Sequence, residues 1–259
     1  MNGLNNINVE LTTKCNKSCW VCNHKEDGEM PLELVEHIAK QVPIGTVVQL
    51  HNGGEPLLYE ELSEALAMFG HCHTGFNTNG KLLVARNESI IDNLDTITIS
   101  IIQDDKEGMQ QLDIARTFLA LKGDRSPLVI FRFLGDIDSQ RAMEWQLLAS
   151  MYNCIIVRRG LRSPNGTYGY TMKQTIPEMG ICLDFLHHLS VKANGDTSIC
   201  ISTDDEGYGV LGNAWDETLM EMWHGRKRME WLHYHKTGRR DKIPLCSKCQ
   251  YWGLPSSGK

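Results

Sequence analysis

A chain of 259 residues, 41% hydrophobic and 22% charged, is long enough to bury one large core or a large and a small one, and its net charge of −6 gives no electrostatic footprint for nucleic acid or anionic lipid. No apolar run approaches the length of a membrane span, and Met1-Asn2-Gly3-Leu4-Asn5 lacks the charged-then-apolar pattern of an export signal. The nine cysteines are therefore expected to ligate metal in a reducing cytoplasm rather than to form disulfides.

Strand-like and helix-like segments alternate through the first 158 residues, as in a parallel sheet with outer helices. Ile7 to Leu11 reads as a strand, followed by a helix with Pro31 in its first turn and Leu34, Val35, Ile38, Ala39 and Val42 on one face. Val47 to Leu50 is the second strand, and Leu58, Leu62, Ala65, Leu66 and Phe69 stripe the next helix. Thr74 to Thr78 is the third strand, followed by a helix from about Leu82 to Asn93. The fourth strand is Thr96 to Ile102, with a helix carrying Leu112, Ala115, Phe118 and Leu119; the fifth is Leu128 to Leu134, with a helix through Trp145, Leu148 and Ala149. Ile155 to Arg158 is the sixth. Six such repeats predict an α/β open partial (β/α)6 TIM-like barrel over residues 1–180, whose working face lies at the carboxyl ends of the strands.

Beyond residue 180 the signals are those of a small α+β unit, residues 181–259. Leu189, Val191 and Ala193 alternate with polar residues, Asn194-Gly195 is a hairpin turn, and Thr197, Ile199 and Ile201 resume the alternation. Asp216 is the expected cap of a helix burying Leu219, Met222 and Trp223, with Gly225 interrupting before Met229, Trp231 and Leu232.

Cys15, Cys19 and Cys22 fall within eight residues directly after the first strand. Three thiolates on one short loop suffice for three irons of a four-iron cluster and leave the fourth iron open. Neither paired zinc-ribbon spacing nor the ferredoxin repeat is present. After the second strand, Gly53-Gly54-Glu55-Pro56 combines glycines that let backbone approach a ligand with a carboxylate that can receive an ammonium group.

The C-x3-C-x2-C loop and the Gly-Gly-Glu-Pro segment, in this order, resemble those of the radical S-adenosylmethionine (SAM) enzymes. In that family SAM chelates the open iron and is cleaved to a 5′-deoxyadenosyl radical. The resemblance implies that Gly53, Gly54, Glu55 and Pro56 hold the SAM amino group, and that Asn77, Asn79, Ser100 and Arg132 at strand ends reach ribose and carboxylate. Family members place an aromatic residue by adenine just before the third cysteine; here that position is Val21, with Trp20 one place earlier.

Cys182, Cys200, Cys246 and Cys249 frame the small unit in a spacing that resembles the Twitch half of the SPASM domains found after radical SAM barrels. Four thiolates would complete a second [4Fe-4S] cluster with no open iron, or a structural zinc site. His224, His233 and His235 read as ordinary helix residues, since seven cysteines account for both sites.

Cys72 and Cys154 precede the third and sixth strands, at the end of the barrel away from the working face, so no thiol is at hand to quench a substrate radical. The expected reaction is therefore oxidation of an alcohol to a carbonyl on a small polyhydroxylated molecule, the electron passing to the second cluster, as in family members that dehydrogenate aminocyclitols. Arg158, Arg159 and Arg162 open a long connection, with Tyr168 and Tyr170, from which substrate and proton handling are expected. Ser202, Asp204 and Asp205 are further pocket candidates. Expected partners are the small-molecule substrate and an electron donor such as flavodoxin or ferredoxin. The alternatives are modification of a ribosomal peptide and a noncatalytic iron–sulfur or zinc-binding interaction protein.

Overall fold

The computed structural model describes residues 4–20, 22, 28–103, 105–161, 181–200, 204, 206–247 and 249. The candidates Val21, Arg162, Tyr168, Tyr170, Ser202 and Asp205 lie outside the described residues.

Six parallel strands form most of a nine-stranded, unclosed sheet: β1 (Asn6–Val9), β2 (Val47–Gln49), β3 (His73–Thr78), β4 (Thr96–Ile102), β5 (Leu128–Leu134) and β6 (Ile155–Arg159). Between them run α1 (Leu32–Ala39), α2 (Leu62–Met68), α3 (Asn87–Ile90), α4 (Gly108–Lys122) and α5 (Ser139–Tyr152). The pleat divides the sheet chemically. Ile97, Ile99 and Ile101 of β4 and Val129, Phe131 and Phe133 of β5 are buried against the helices, where Phe131 meets Trp145 edge-on with ring centroids 4.8 Å apart. Each such side chain contributes roughly 1.5–3 kcal/mol of burial. The opposite, lumenal face carries Asn8, Gln49, Asn77, Thr98, Ser100 and Arg132, as the pairings Asn8↔Gln49, Asn77↔Thr98 and Ser100↔Arg132 require.

The sheet continues into the carboxyl-terminal unit. The strand β7 (His188–Val191) pairs parallel with β1, setting Leu189 beside Ile7 and Val191 beside Val9 on the apolar face. The turn at Asn194-Gly195 then leads to β8 (Asp196–Ser198) and β9 (Val210–Asn213), both antiparallel additions. Leu189, Val191, Ala214, Leu219 and Trp223 belong to the main core, while Phe185, Ile199, Trp231, Ile243 and Leu245 form a second, smaller one.

Three local expectations are corrected. The helix foreseen from Leu82 to Asn93 contracts to α3, because Asn87 bonds back to the Val84 carbonyl at 2.6 Å and Asp92 takes a left-handed φ of 67°, both turn conformations. The cap of α7 (Leu219–His224) is Thr218, not Asp216: its hydroxyl accepts the Glu221 N–H while Glu221 accepts the Thr218 N–H. The strand β9 was not foreseen, since Val-Leu-Gly-Asn is short and Gly212 weakens its pattern. Gly225 does separate α7 from α8 (Arg226–Lys236).

Candidate functional site

The loop bearing Cys15, Cys19 and Cys22 leaves the carboxyl end of β1 and is tied down at three places. At its root, the Glu55 N–H donates to the Lys14 carbonyl at 2.8 Å, and Gly54 lies so close that a Cβ would collide with the Thr12 carbonyl. In the middle, the Asn79 amide donates to Asn16 Oδ1 at 2.7 Å and approaches Cys15 Sγ at 4.0 Å. Lys17, between the first two cysteines, forms an ion pair with Asp105 at the start of the β4–α4 connection; both side chains are nearly buried. Arg141 of α5 lies 3.8 Å from the same carboxylate. Burial pushes the Asp105 carboxyl up, but Lys17, the Glu107 N–H and Arg141 together outweigh it and hold the group below its ordinary range.

Glu55 is buried, and its carboxylate accepts from the Thr78 hydroxyl at 2.7 Å, the Asn79 N–H at 2.7 Å and the Leu57 N–H at 3.2 Å. It therefore braces the Gly53–Pro56 segment against the end of β3. A carboxylate has about four acceptor positions, so three donors leave one available. Sequence reasoning missed Glu10, which is buried at the end of β1, accepts the Gly53 N–H at 2.8 Å and receives the Ala193 N–H at 3.4 Å. A charge closing an apolar strand was the signal.

His51 was missed as well. Its Nε2 lies 2.6 Å from the Asn77 amide nitrogen, so Asn77 is engaged with an imidazole at the floor of the lumen. Burial, then the charge of Arg132, brings the His51 pKa down to about 3, so the ring is neutral. Ser100 shares this lumenal face, and its carbonyl accepts from Gln111 Nε2 at 2.9 Å.

Arg158 and Arg159 part company. Arg158 follows the parity of Phe133 and stacks 4.9 Å over that ring on the helix side, which removes it from the lumen; Arg159 pairs with Leu134 and has the parity of Arg132. Asp204 is likewise not a pocket residue: it is buried and accepts from the Tyr208 N–H, the Gly209 N–H and the Ser198 hydroxyl, which braces the turn into β9. Trp20 is 58% exposed. Cys72 and Cys154 immediately precede β3 and β6, at the amino-terminal ends of the strands.

In the carboxyl-terminal unit, Cys182 caps α6 (Leu183–His187), and Cys182, Cys200 and Cys246 all pack on the smaller core. The Cys249 N–H donates to the Cys246 carbonyl at 3.2 Å. Within each group the thiols feel one another. Cys19 is pushed up by burial and by Cys22 and Cys15 against the pull of Lys17, and Cys246 by burial, Cys249 and Cys182. Burial pushes Cys182 up to about 11. Among the described residues no three His, Cys, Asp or Glu side chains meet tightly enough to share one ion. Cysteine thiolates are the donor set of iron–sulfur clusters and of structural zinc alike. Metal binding would draw off the protons that burial holds on these thiols.

Residues 182–250 match the SPASM iron–sulfur cluster-binding domain. Over 255 residues, 94% of this chain and 91% of the relative, the sequence is 22% identical to the S-adenosyl-L-methionine-dependent 2-deoxy-scyllo-inosamine dehydrogenase of Niallia circulans. A shorter stretch of 111 residues is 31% identical to a probable GTP 3′,8-cyclase of Methanocella arvoryzae, spanning 40% of this chain but only 36% of that relative's length. Among solved structures, BtrN in complex with AdoMet and 2-DOIA superposes with a TM-score of 0.67 at 19% identity, over 98% of this chain and 96% of that one. No helix among the described residues is long and apolar enough to cross a membrane. Residues 182–250 thus match an iron–sulfur cluster-binding domain, and along nearly its whole length the chain is similar to a SAM-dependent dehydrogenase and shares the fold of BtrN, which together support a radical SAM enzyme with an iron–sulfur domain after an open barrel.

Proposed function

We propose that the protein dehydrogenates a hydroxyl-bearing carbon of a small polyhydroxylated molecule of the cyclitol, sugar or nucleoside class. The observation that carries this reading is the pairing of two thiol groups, one on the loop after β1 and one around the hairpin on β1's other flank, in a chain similar along nearly its whole length to an aminocyclitol dehydrogenase. When bound, a [4Fe-4S] cluster with SAM supplies a 5′-deoxyadenosyl radical, and a second [4Fe-4S] cluster supplies a one-electron acceptor.

Cys15, Cys19 and Cys22 hold the first cluster, and Cys182, Cys200, Cys246 and Cys249 the second. The Gly53–Pro56 segment, with the remaining acceptor position of Glu55, receives the SAM amino group, and Ser100 and Arg132 face its ribose and carboxylate across the lumen. Asn79 holds the cluster loop in place through Asn16. Arg159 is the lumenal arginine for substrate. The net change at the substrate carbon would be loss of a hydrogen atom and then of one electron and the hydroxyl proton, the electron going to the second cluster, which leaves a carbonyl. An electron donor of the flavodoxin or ferredoxin class would supply the electron for SAM cleavage, which fits a cytoplasmic setting.

Anaerobically reconstituted protein is expected to hold about eight irons. With cyclitols, aminocyclitols, sugars and nucleosides as candidates, mass spectrometry should find a product lacking two hydrogens, formed one-to-one with 5′-deoxyadenosine. A product that keeps both hydrogens, or modification of peptides only, would overturn the dehydrogenase assignment. Retention of SAM cleavage after alanine replacement of Cys15, Cys19 and Cys22 would overturn the radical chemistry itself.

A further inference from the structure

Arg228 on α8 is a buried cation whose contacts among the described residues are all neutral. It is 4% exposed, its guanidinium lies 3.3 Å from the Trp223 ring centroid and 5.1 Å from that of Phe185, and it donates to the carbonyls of Trp223 and Phe185 at 3.2 and 3.1 Å. Burial lowers its pKa to about 10, so it stays charged at neutral pH. Holding an ion away from water costs several kcal/mol unless an opposite charge is near.

The surroundings point to where that charge arrives. Phe185 lies between Arg228 and Cys182: its carbonyl accepts from Arg228, and its side chain belongs to the smaller core on which Cys182 packs. On the other flank, Arg240 donates to the Cys249 carbonyl at 2.9 Å. Two arginines thus stand behind two of the four cysteines of the second group. The two carboxylates buried in this unit have partners of their own: Asp184 contacts His188 at 3.4 Å, and Asp204 accepts from two N–H groups and a hydroxyl.

Resting on the reading that these cysteines hold a four-iron cluster, we propose that Arg228 and Arg240 are its counter-charges and raise its reduction potential, fitting it to accept an electron. A cluster on four thiolates is anionic and gains a further negative charge on reduction, so nearby cations favour the reduced state. A purely structural Arg228, gluing α6, α7 and α8 together, would leave the potential where it is.

The test is a redox titration of the reconstituted full chain followed by electron paramagnetic resonance, with the first cluster recognised by its response to SAM. Arg240→Gln and Arg228→Met should each make reduction of the second cluster about tenfold less favourable, a downward shift of about 59 mV for one electron, and leave the first cluster unmoved. Arg240→Lys and Arg228→Lys should restore most of the shift. Variants with both clusters present and both potentials unchanged overturn the assignment. If Arg228→Met does not fold, Arg240→Gln decides. Wild-type protein that assembles only about four irons overturns the underlying cluster reading and this assignment with it.

Discussion

The backbone of Gly54 rests against the Thr12 carbonyl, and a Cβ at Gly54 would also come within 2.9 Å of the Lys14 carbonyl oxygen. Both neighbours are backbone at the root of the cysteine loop, so they cannot swing aside as a side chain would. Gly54→Ala should therefore displace the loop at a cost of roughly 1–3 kcal/mol. Iron bound to the first site and formation of 5′-deoxyadenosine should both fall by at least about tenfold. Gly70→Ala, where a Cβ would meet one carbonyl at 3.3 Å, should be much milder. Iron analysis beside product chromatography checks both.

His51 gives the lumen a pH signature. Its folded pKa, near 3 through burial and the charge of Arg132, lies below the ordinary value of 6.5. The unfolded chain therefore binds the proton more readily. Stability is full above pH 6.5 and is lost as the pH falls toward 3. At about 1.4 kcal/mol for each tenfold change in proton affinity, the total is on the order of a few kcal/mol. Urea unfolding of metal-free His51→Gln across this range should show a flatter dependence. His188, also lowered, keeps part of the slope.

Lys17 and Asp105 act in the same direction at lower pH. Because the Asp105 carboxyl is held below its ordinary range, its contribution is present above about pH 4 and lost as the pH falls through the folded value. Asp105→Ala strands a nearly buried lysine and should cost about 3–5 kcal/mol, whereas Lys17→Met with Asp105→Leu should recover much of the loss. Hydrogen exchange at residues 14–20 of the metal-free chain should rise in the single variant and return in the double one.

The two adjacent arginines of β6 should behave unlike each other. Arg158→Ala, on the helix side over Phe133, is expected to leave kcat/KM within about twofold, and Arg159→Ala, on the lumenal parity, to lower it by more than about tenfold. Steady-state kinetics with the substrate found by mass spectrometry would show the split, and equal losses would return Arg158 to the lumen.

Legibility in the sequence followed the physics of each element. The strands β4 and β5 were readable to the residue because isoleucine alternates with threonine and serine along β4, and β5 is a branched-aliphatic and aromatic run broken only by Arg132. The Cys15–Cys22 loop and the Gly53–Pro56 segment stand out in the sequence because each is compact in the chain, whereas Cys182, Cys200, Cys246 and Cys249 are scattered and stand out only by their spacing. The Lys17–Asp105 pair, 88 residues apart, and the Glu10 and His51 contacts depend on how strand ends are brought together, which periodicity does not report. Arg158 was misplaced because the strand runs two residues further than its apolar stretch, and only the register with β5 fixes which way each arginine faces.

The parallel pairing of β7 with β1 has a mechanical consequence. Since the first cysteine loop continues directly from β1, and the second unit enters the sheet through β7 beside that same strand, one hydrogen-bonded ladder anchors both thiol-bearing regions. Cutting the chain at residue 181 would bare the flank of β1 together with the apolar side chains beneath it, leaving a self-adhesive fragment in place of an independent barrel.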